Sequence, residues 1–239
     1  MLSFARLVRP VAIFAVAAMA LAACSGEKSG PADASGVKVD PYLGPVVMGE
    51  ANAKVKMVEY ASLTCPHCRD FWKQVFPRIK STYIDTGKIS YELHDFPTAP
   101  AEVAVAAAAI ARCKGKDAYY EIVDDFVTSH HDLINAAQSP TGAGPVLVAV
   151  GGRHGLSPDE VRACVNDEGV KAYIDKTVKD AQGKVSATPT VFINDVIVAE
   201  HTFEAIAAVI EAQLNPGAAP AAPAPAAPAP TAPATPPAQ

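Results

Sequence analysis

The sequence predicts an α/β fold in which a sheet-and-helix domain is interrupted by an inserted all-helical domain. Three observations carry this reading: a strand, a helix and a strand over residues 55 to 93; a stretch from Ala101 to Gln182 that reads as helical; and two short strands with a final helix from Thr190 to Leu214. The first strand runs directly into Cys65-Pro66-His67-Cys68, so the motif richest in chemistry stands where strand hands over to helix.

The two ends of the chain are unlike its middle. Arg6 and Arg9 precede an apolar run from Val11 to Leu21, too short to span a bilayer comfortably and of the kind found in secretion signals. It closes on Leu21-Ala22-Ala23-Cys24, which resembles the lipobox of bacterial lipoproteins. That resemblance implies a signal peptide over 1–23, lipid on Cys24 and anchoring at a membrane surface; an ordinary signal peptide cut near Gly26 is the alternative. Residues 24–36 read as a flexible tether. Residues 216–239 are almost wholly Ala and Pro with no charged residue, a composition that cannot bury a core and favours polyproline-like conformers, so a disordered tail is expected.

Between these ends, about 180 residues suffice for one domain carrying an insertion: a first part over 37–98, the helical insertion over 99–183, and a second part over 184–215. The net charge of -5 offers no basic patch for nucleic acid. Setting Cys24 aside leaves four of the five cysteines, an even number in an exported chain where disulfides are permitted.

Each element has its own signal. Val55, Met57, Val58 and Tyr60 form a mostly apolar strand run, and Phe71, Trp72, Val75, Phe76, Ile79 and Ile84 then recur at helical steps as far as Gly87. Ile89, Tyr91 and Leu93 alternate with polar residues as a half-buried strand does. Helices are expected from Ala101 to Cys113, Asp117 to Val127, Ser157 to Asn166 and Val170 to Ala181. Ser157-Pro158-Asp159-Glu160 opens one of them with a serine cap, proline in the first turn and acids beside the positive helix end. Thr190–Ile193 and Val196–Val198 flank Asn194-Asp195 as a hairpin, and Phe203 to Leu214 is amphipathic.

Cys65 at a helix entrance meets unpaired backbone N–H groups and the positive helix dipole, both of which favour a thiolate. Pro66 is harmless in the first turn, where its N–H would be unpaired anyway. His67, when protonated, adds a positive charge beside the sulfur. Cys68, one turn in, is placed to close a disulfide with Cys65. A zinc half-site would need two further ligands at suitable spacing, and Cys113 and Cys164 stand singly in the helical block; a static disulfide has no use for the strand-to-helix placement. No metal and no cofactor are expected. His130-His131 and Gly151-Gly152-Arg153-His154-Gly155 lack ligand or phosphate-loop spacing and read as solvated loop or helix-end residues.

With these residues the chain resembles the DsbA-like branch of the thioredoxin superfamily, over about Asp40 to Leu214. The resemblance implies a thioredoxin fold with a helical insertion and a thiol-disulfide oxidoreductase using Cys65 and Cys68. It implies a cis Thr188-Pro189 bond facing the cysteines, with the Thr188 backbone free to pair with an extended substrate; an ordinary trans proline opening an edge strand is the other reading. Glu59, six residues before Cys65, matches a buried acid that would relay the Cys68 proton, although the strand pattern alone leaves an exposed position open. Cys113 and Cys164 correspond to a second disulfide, worth about 4 kcal/mol on a chain-entropy model, with free buried thiols as the alternative. The implied role is a periplasmic dithiol oxidase acting on exported proteins with cysteine thiols and reoxidised by a quinone-linked membrane protein, with inner and outer membrane undecided. A reductase or isomerase on the same fold is the runner-up, though residues 25–54 are too short and polar to supply an oligomerisation segment. A metal-delivery module is a third reading, disfavoured because no Met or His cluster accompanies Cys65 in the sequence.

Overall fold

The computed structural model describes residues 36–217; the expected signal peptide, Cys24, nearly all of the tether and the tail beyond Gly217 lie outside them. The sheet has five strands: β1 (Val47–Gly49), β2 (Val55–Ala61), β3 (Ile89–Asp95), β4 (Thr190–Ile193) and β5 (Val196–Val198), in the order β1-β3-β2-β4-β5. β2 and β3 run parallel and every other pairing is antiparallel. The parallel pair requires a crossover, and α1 (Pro66–Gln74) and α2 (Phe76–Ile79) supply it. This is a thioredoxin-like fold with the expected order of elements, its two halves separated by helices.

Sequence periodicity suggested one helix from Phe71 to Ile84, and the structure divides it. Val75, at φ -110°, ends α1 just before Pro77, which cannot donate to the preceding turn, and a π-helical turn over Lys80–Ile84 follows α2. The segment ends at Gly87 in the left-handed region, φ 71°, a conformation that costs glycine little.

Six helices lie between β3 and β4: α3 (Ala101–Cys113), α4 (Tyr119–Thr128), α5 (His130–Ala137), α6 (Gly144–Arg153), α7 (Pro158–Asn166) and α8 (Glu168–Asp180). α9 (Phe203–Leu214) packs against α2 and the sheet. Ser157 and Glu160 cap α7 reciprocally. α5, α6 and β1 are additional to the expected elements. α6 is glycine-flanked and valine-rich, a composition of weak helix propensity, so packing rather than local preference makes it helical. Gly151 shows how closely: a Cβ there would come within 2.5 Å of the Val161 side chain in α7.

The inserted helices do not stand apart from the sheet. One continuous core joins Met57 and Tyr91 of the sheet, Phe71, Trp72 and Phe76 of the crossover, and Ile122 and Phe126 of α4. Trp72 stacks on Phe76 at 4.4 Å and its indole N–H donates to Asp124 at 2.9 Å. Arg112, wholly buried in α3, donates through Nε and Nη2 to Asp95 at the end of β3, at 2.8 and 2.6 Å. Its Nη1 reaches the carbonyls of Tyr42 and Gly44. Cys113 and Cys164 are joined as a disulfide between α3 and α7, with Cα atoms 5.9 Å apart.

Candidate active site

β2 is central in the sheet, so the chain leaving its end emerges in the middle of the fold rather than at an edge. The connecting residues Ser62 and Thr64 are buried and bonded: their hydroxyls meet at 2.9 Å, Thr64 Oγ1 donates to the Thr98 carbonyl at 3.0 Å, and the Thr98 amide donates to Ser62 Oγ at 3.1 Å. The short polar run that the sequence marks only as a lead-in is therefore a clamp, tying the approach to Cys65 to the segment after β3.

Cys65 occupies the cap position of α1 in an extended conformation, followed by Pro66. No side-chain cap and no acidic residue serve this helix start. The sulfur itself meets the unpaired N–H groups. Cys65 and Cys68 are both buried and free thiols, whereas Pro66 and His67 are exposed.

The two sulfurs are driven in opposite directions. The hydrogen bond from the Cys68 thiol is the largest influence on Cys65, lowering its pKa to about 5 against the penalty of burial; the Thr188 side chain and the backbone N–H groups of Cys68 and His67 act in the same direction. Burial, the bond to Cys65 and the charge of Glu59 push the Cys68 thiol far up. The sequence assigned part of the Cys65 effect to the His67 ring; in the structure it is the His67 backbone N–H that contributes.

Glu59 lies on the same side of β2 as Val55 and Met57, beneath the crossover helices, and is wholly buried. The Tyr91 hydroxyl donates to its Oε2 at 2.7 Å. Burial raises its pKa to about 8, with the Tyr91 bond opposing and the Cys65 charge adding to the rise. At neutral pH it holds a proton. The exposed-edge alternative for Glu59 is corrected by the position of β2, which has neighbours on both sides.

Thr188-Pro189 is cis, Pro189 is buried, and the Cys65 sulfur lies 3.4 Å from the Thr188 carbonyl oxygen. The register places this loop beside the active site, since Thr190 pairs with Tyr60, five residues before Cys65. Thus Cys65, Cys68, Glu59, Thr188 and Pro189 converge, while Cys113 and Cys164 lie apart in the helical insertion. Ala99-Pro100 is also cis, a feature with no sequence signal here.

The reading of His130 as a solvated residue is overturned. It is buried at the start of α5, with Nε2 at 3.1 Å from the Thr64 carbonyl, because α5 packs over the loop that delivers Cys65. His131 is the more exposed of the two and meets Arg69 Nη1 at 2.9 Å. Arg153 and His154 close the other singled-out motif by clamping Asp125 of α4, and Gly151 permits the close packing of α6 on α7; these are helix-end residues with structural roles. Among the described residues, no three His, Cys, Asp or Glu side chains gather as a metal-holding group.

Residues 43–212 match the family model described as Thioredoxin. A Rickettsia bellii protein, itself assigned by inference as a protein-disulfide oxidoreductase, is 28% identical over 172 residues, covering 71% of this chain and 64% of its own length. The chain therefore spans less than two thirds of that relative. Disulfide bond formation protein D of Bacillus subtilis is 22% identical over 177 residues, covering 72% of this chain and 78% of that protein. Among solved structures, Wolbachia pipientis alpha-DsbA1 superposes with a TM-score of 0.62 at 28% identity, covering 73% of this chain and 92% of that one. With the sheet order, the helical insertion and the Cys-Pro-His-Cys helix entrance in place, the chain belongs to the thioredoxin family, in its DsbA-like branch.

Proposed function

We propose that this protein is a thiol-disulfide oxidoreductase that works through Cys65 and Cys68 and runs as a dithiol oxidase on exported proteins. The observation that carries the direction is the asymmetry of the pair: the Cys65 thiolate is favoured above about pH 5 while the Cys68 thiol is held protonated. A stable Cys65 thiolate stabilises the reduced enzyme, and a couple with a stable reduced form oxidises its partners. The name of the Bacillus subtilis relative points the same way.

In the oxidised enzyme a substrate thiolate attacks the sulfur of Cys65 and Cys68 leaves. Its buried sulfur needs a proton, and the protonated Glu59 carboxyl, close enough to act on Cys68 electrostatically, supplies it directly or through solvent. A second substrate thiolate then attacks the mixed disulfide at the substrate sulfur, and Cys65 departs as the thiolate. Thr188, beside Cys65, offers its backbone to an extended substrate segment.

A lipid on Cys24 would hold the enzyme at the outer face of a membrane in the periplasm, close to a quinone-linked membrane protein that returns it to the disulfide form. The Leu21-Ala22-Ala23-Cys24 pattern supports this part of the reading.

The test is the redox equilibrium of the pair against glutathione. A potential above about -180 mV is expected; a value near or below about -230 mV would place the protein among reductants and end the oxidase reading. Stoichiometric metal on the purified reduced protein would instead favour metal delivery.

A further inference from the structure

His130 has two ring nitrogens and the fold uses one. Nε2 faces the Thr64 carbonyl, which can only accept, so Nε2 carries the hydrogen and the neutral ring presents a lone pair at Nδ1. Among the described residues, Nδ1 is the single buried side-chain nitrogen or oxygen without a hydrogen-bond partner. An unpaired buried acceptor is costly, and a side chain with one donor would serve Thr64 equally well. The ring is 4% exposed and braces the peptide immediately before Cys65.

Charged groups around the start of α5 come from four elements. α1 contributes Cys65 and Arg69, the latter held by Asp70 at 2.6 Å. α5 itself contributes His131 and Asp132. Next to it, Ser129 accepts from Arg153 of α6, which is paired with Asp125 of α4. Burial is the main influence and keeps His130 neutral to lower pH than an ordinary histidine, with Arg69 and His131 acting alike; the Thr64 bond and the Cys65 thiolate oppose them. Of these influences, only the pull of Cys65 changes during turnover, because its negative charge disappears in the disulfide.

We propose that His130 is a positioning residue for Cys65 whose Nδ1 takes up a proton, in acid solution, when the Cys65–Cys68 disulfide is reduced. The inference rests on the reading of Cys65 as the redox thiolate. Substrate dithiol becomes disulfide and gives up two electrons and two protons. The electrons cleave the enzyme disulfide, one proton goes to Cys68, and Cys65 remains a thiolate. At neutral pH the second proton leaves to solvent; in the acid window it stays on His130. Reciprocity requires that the imidazolium favour the thiolate by the same factor as the thiolate favours the imidazolium.

The experiment is an NMR titration of the histidine rings in the purified full-length protein, oxidised and reduced, with thiolate absorbance at 240 nm followed in the reduced samples. The His130 resonance is assigned by its loss in His130→Gln. His130 should bind its proton at least threefold more tightly in the reduced form. Equal midpoints with the Cys65 thiolate present below pH 7 would overturn the His130 proposal alone; absence of that thiolate would overturn the functional reading with it. His130→Gln, which keeps an N–H for Thr64, should retain the fold yet lose the extra acid dependence of the redox equilibrium. Retention of that dependence in His130→Gln would also overturn the proposal.

Discussion

Two buried carboxyl groups on the same side of one sheet are treated in opposite ways. Asp95, 4% exposed at the end of β3, receives two bonds from Arg112 and one from the Tyr119 hydroxyl at 3.3 Å. Glu59, 1% exposed in β2, has one hydrogen-bond partner among the described residues, the uncharged Tyr91. The first is a charge neutralised in place, joining the helical insertion to the sheet. The second is a carboxyl left without a countercharge, so burial keeps it protonated beneath the redox cysteines. The difference separates a group that ties helices to sheet from one that keeps its proton at neutral pH.

The comparison breaks most severely at the paired site. Arg112→Met should destabilise the protein by about 3–5 kcal/mol, because Asp95 would remain buried without its cation. Urea denaturation of the disulfide form measures this. Replacing Asp95 and Arg112 together by apolar residues should recover much of the loss. If the single variant costs under about 1 kcal/mol, the ion pair does not bind insertion to sheet as argued.

Glu59→Gln should act in the opposite direction. A carboxyl whose pKa rises from 4.5 to about 8 on folding contributes stability that is complete below pH 4.5 and is lost as pH climbs to 8, since the unfolded chain ionises first. Each pH unit in that window removes at most about 1.4 kcal/mol. The amide never ionises, so the variant should be more stable than the parent at pH 7 by about 1–3 kcal/mol and show no gain at pH 4. Its thiol exchange should slow at the step that releases Cys68. A stabilised but slower variant is the signature of a functional buried acid; unchanged exchange would leave Glu59 outside the proton path.

These two acids also mark how far the sequence reaches. Cys65 and Cys68 are legible because a local rule places them, a cysteine at a strand-helix junction; the Thr188-Pro189 step is legible only through the family resemblance, since a proline ahead of a short strand reads locally as an ordinary trans one. Glu59 is only half legible. Alternation sets it beside Val55 and Met57, but Val58 and Tyr60 make the other side of β2 apolar too, so burial depends on the strand's central position. Asp95–Arg112 and His130 are not legible, because their partners are 17 and 66 residues away and the packing of the insertion decides both. α5 and α6 are hidden for the same reason, their helicity coming from contacts with α3, α4 and α7 rather than from propensity.

The smallest perturbation is the most discriminating. Tyr91→Phe removes the one hydrogen bond on Glu59 and leaves both rings and the core packing around Trp72 and Phe76 in place. That bond is the influence holding the Glu59 pKa down, so its loss should raise the value above 8. The cost below pH 4.5 should be about 1 kcal/mol, the net worth of an ordinary hydrogen bond. The window over which stability falls with pH should extend upward beyond pH 8 by a measurable fraction of a unit, whereas the same window should vanish in Glu59→Gln. A Tyr91→Phe variant that loses stability equally at every pH would mean that the hydroxyl serves packing alone, and that desolvation by itself sets the proton on Glu59.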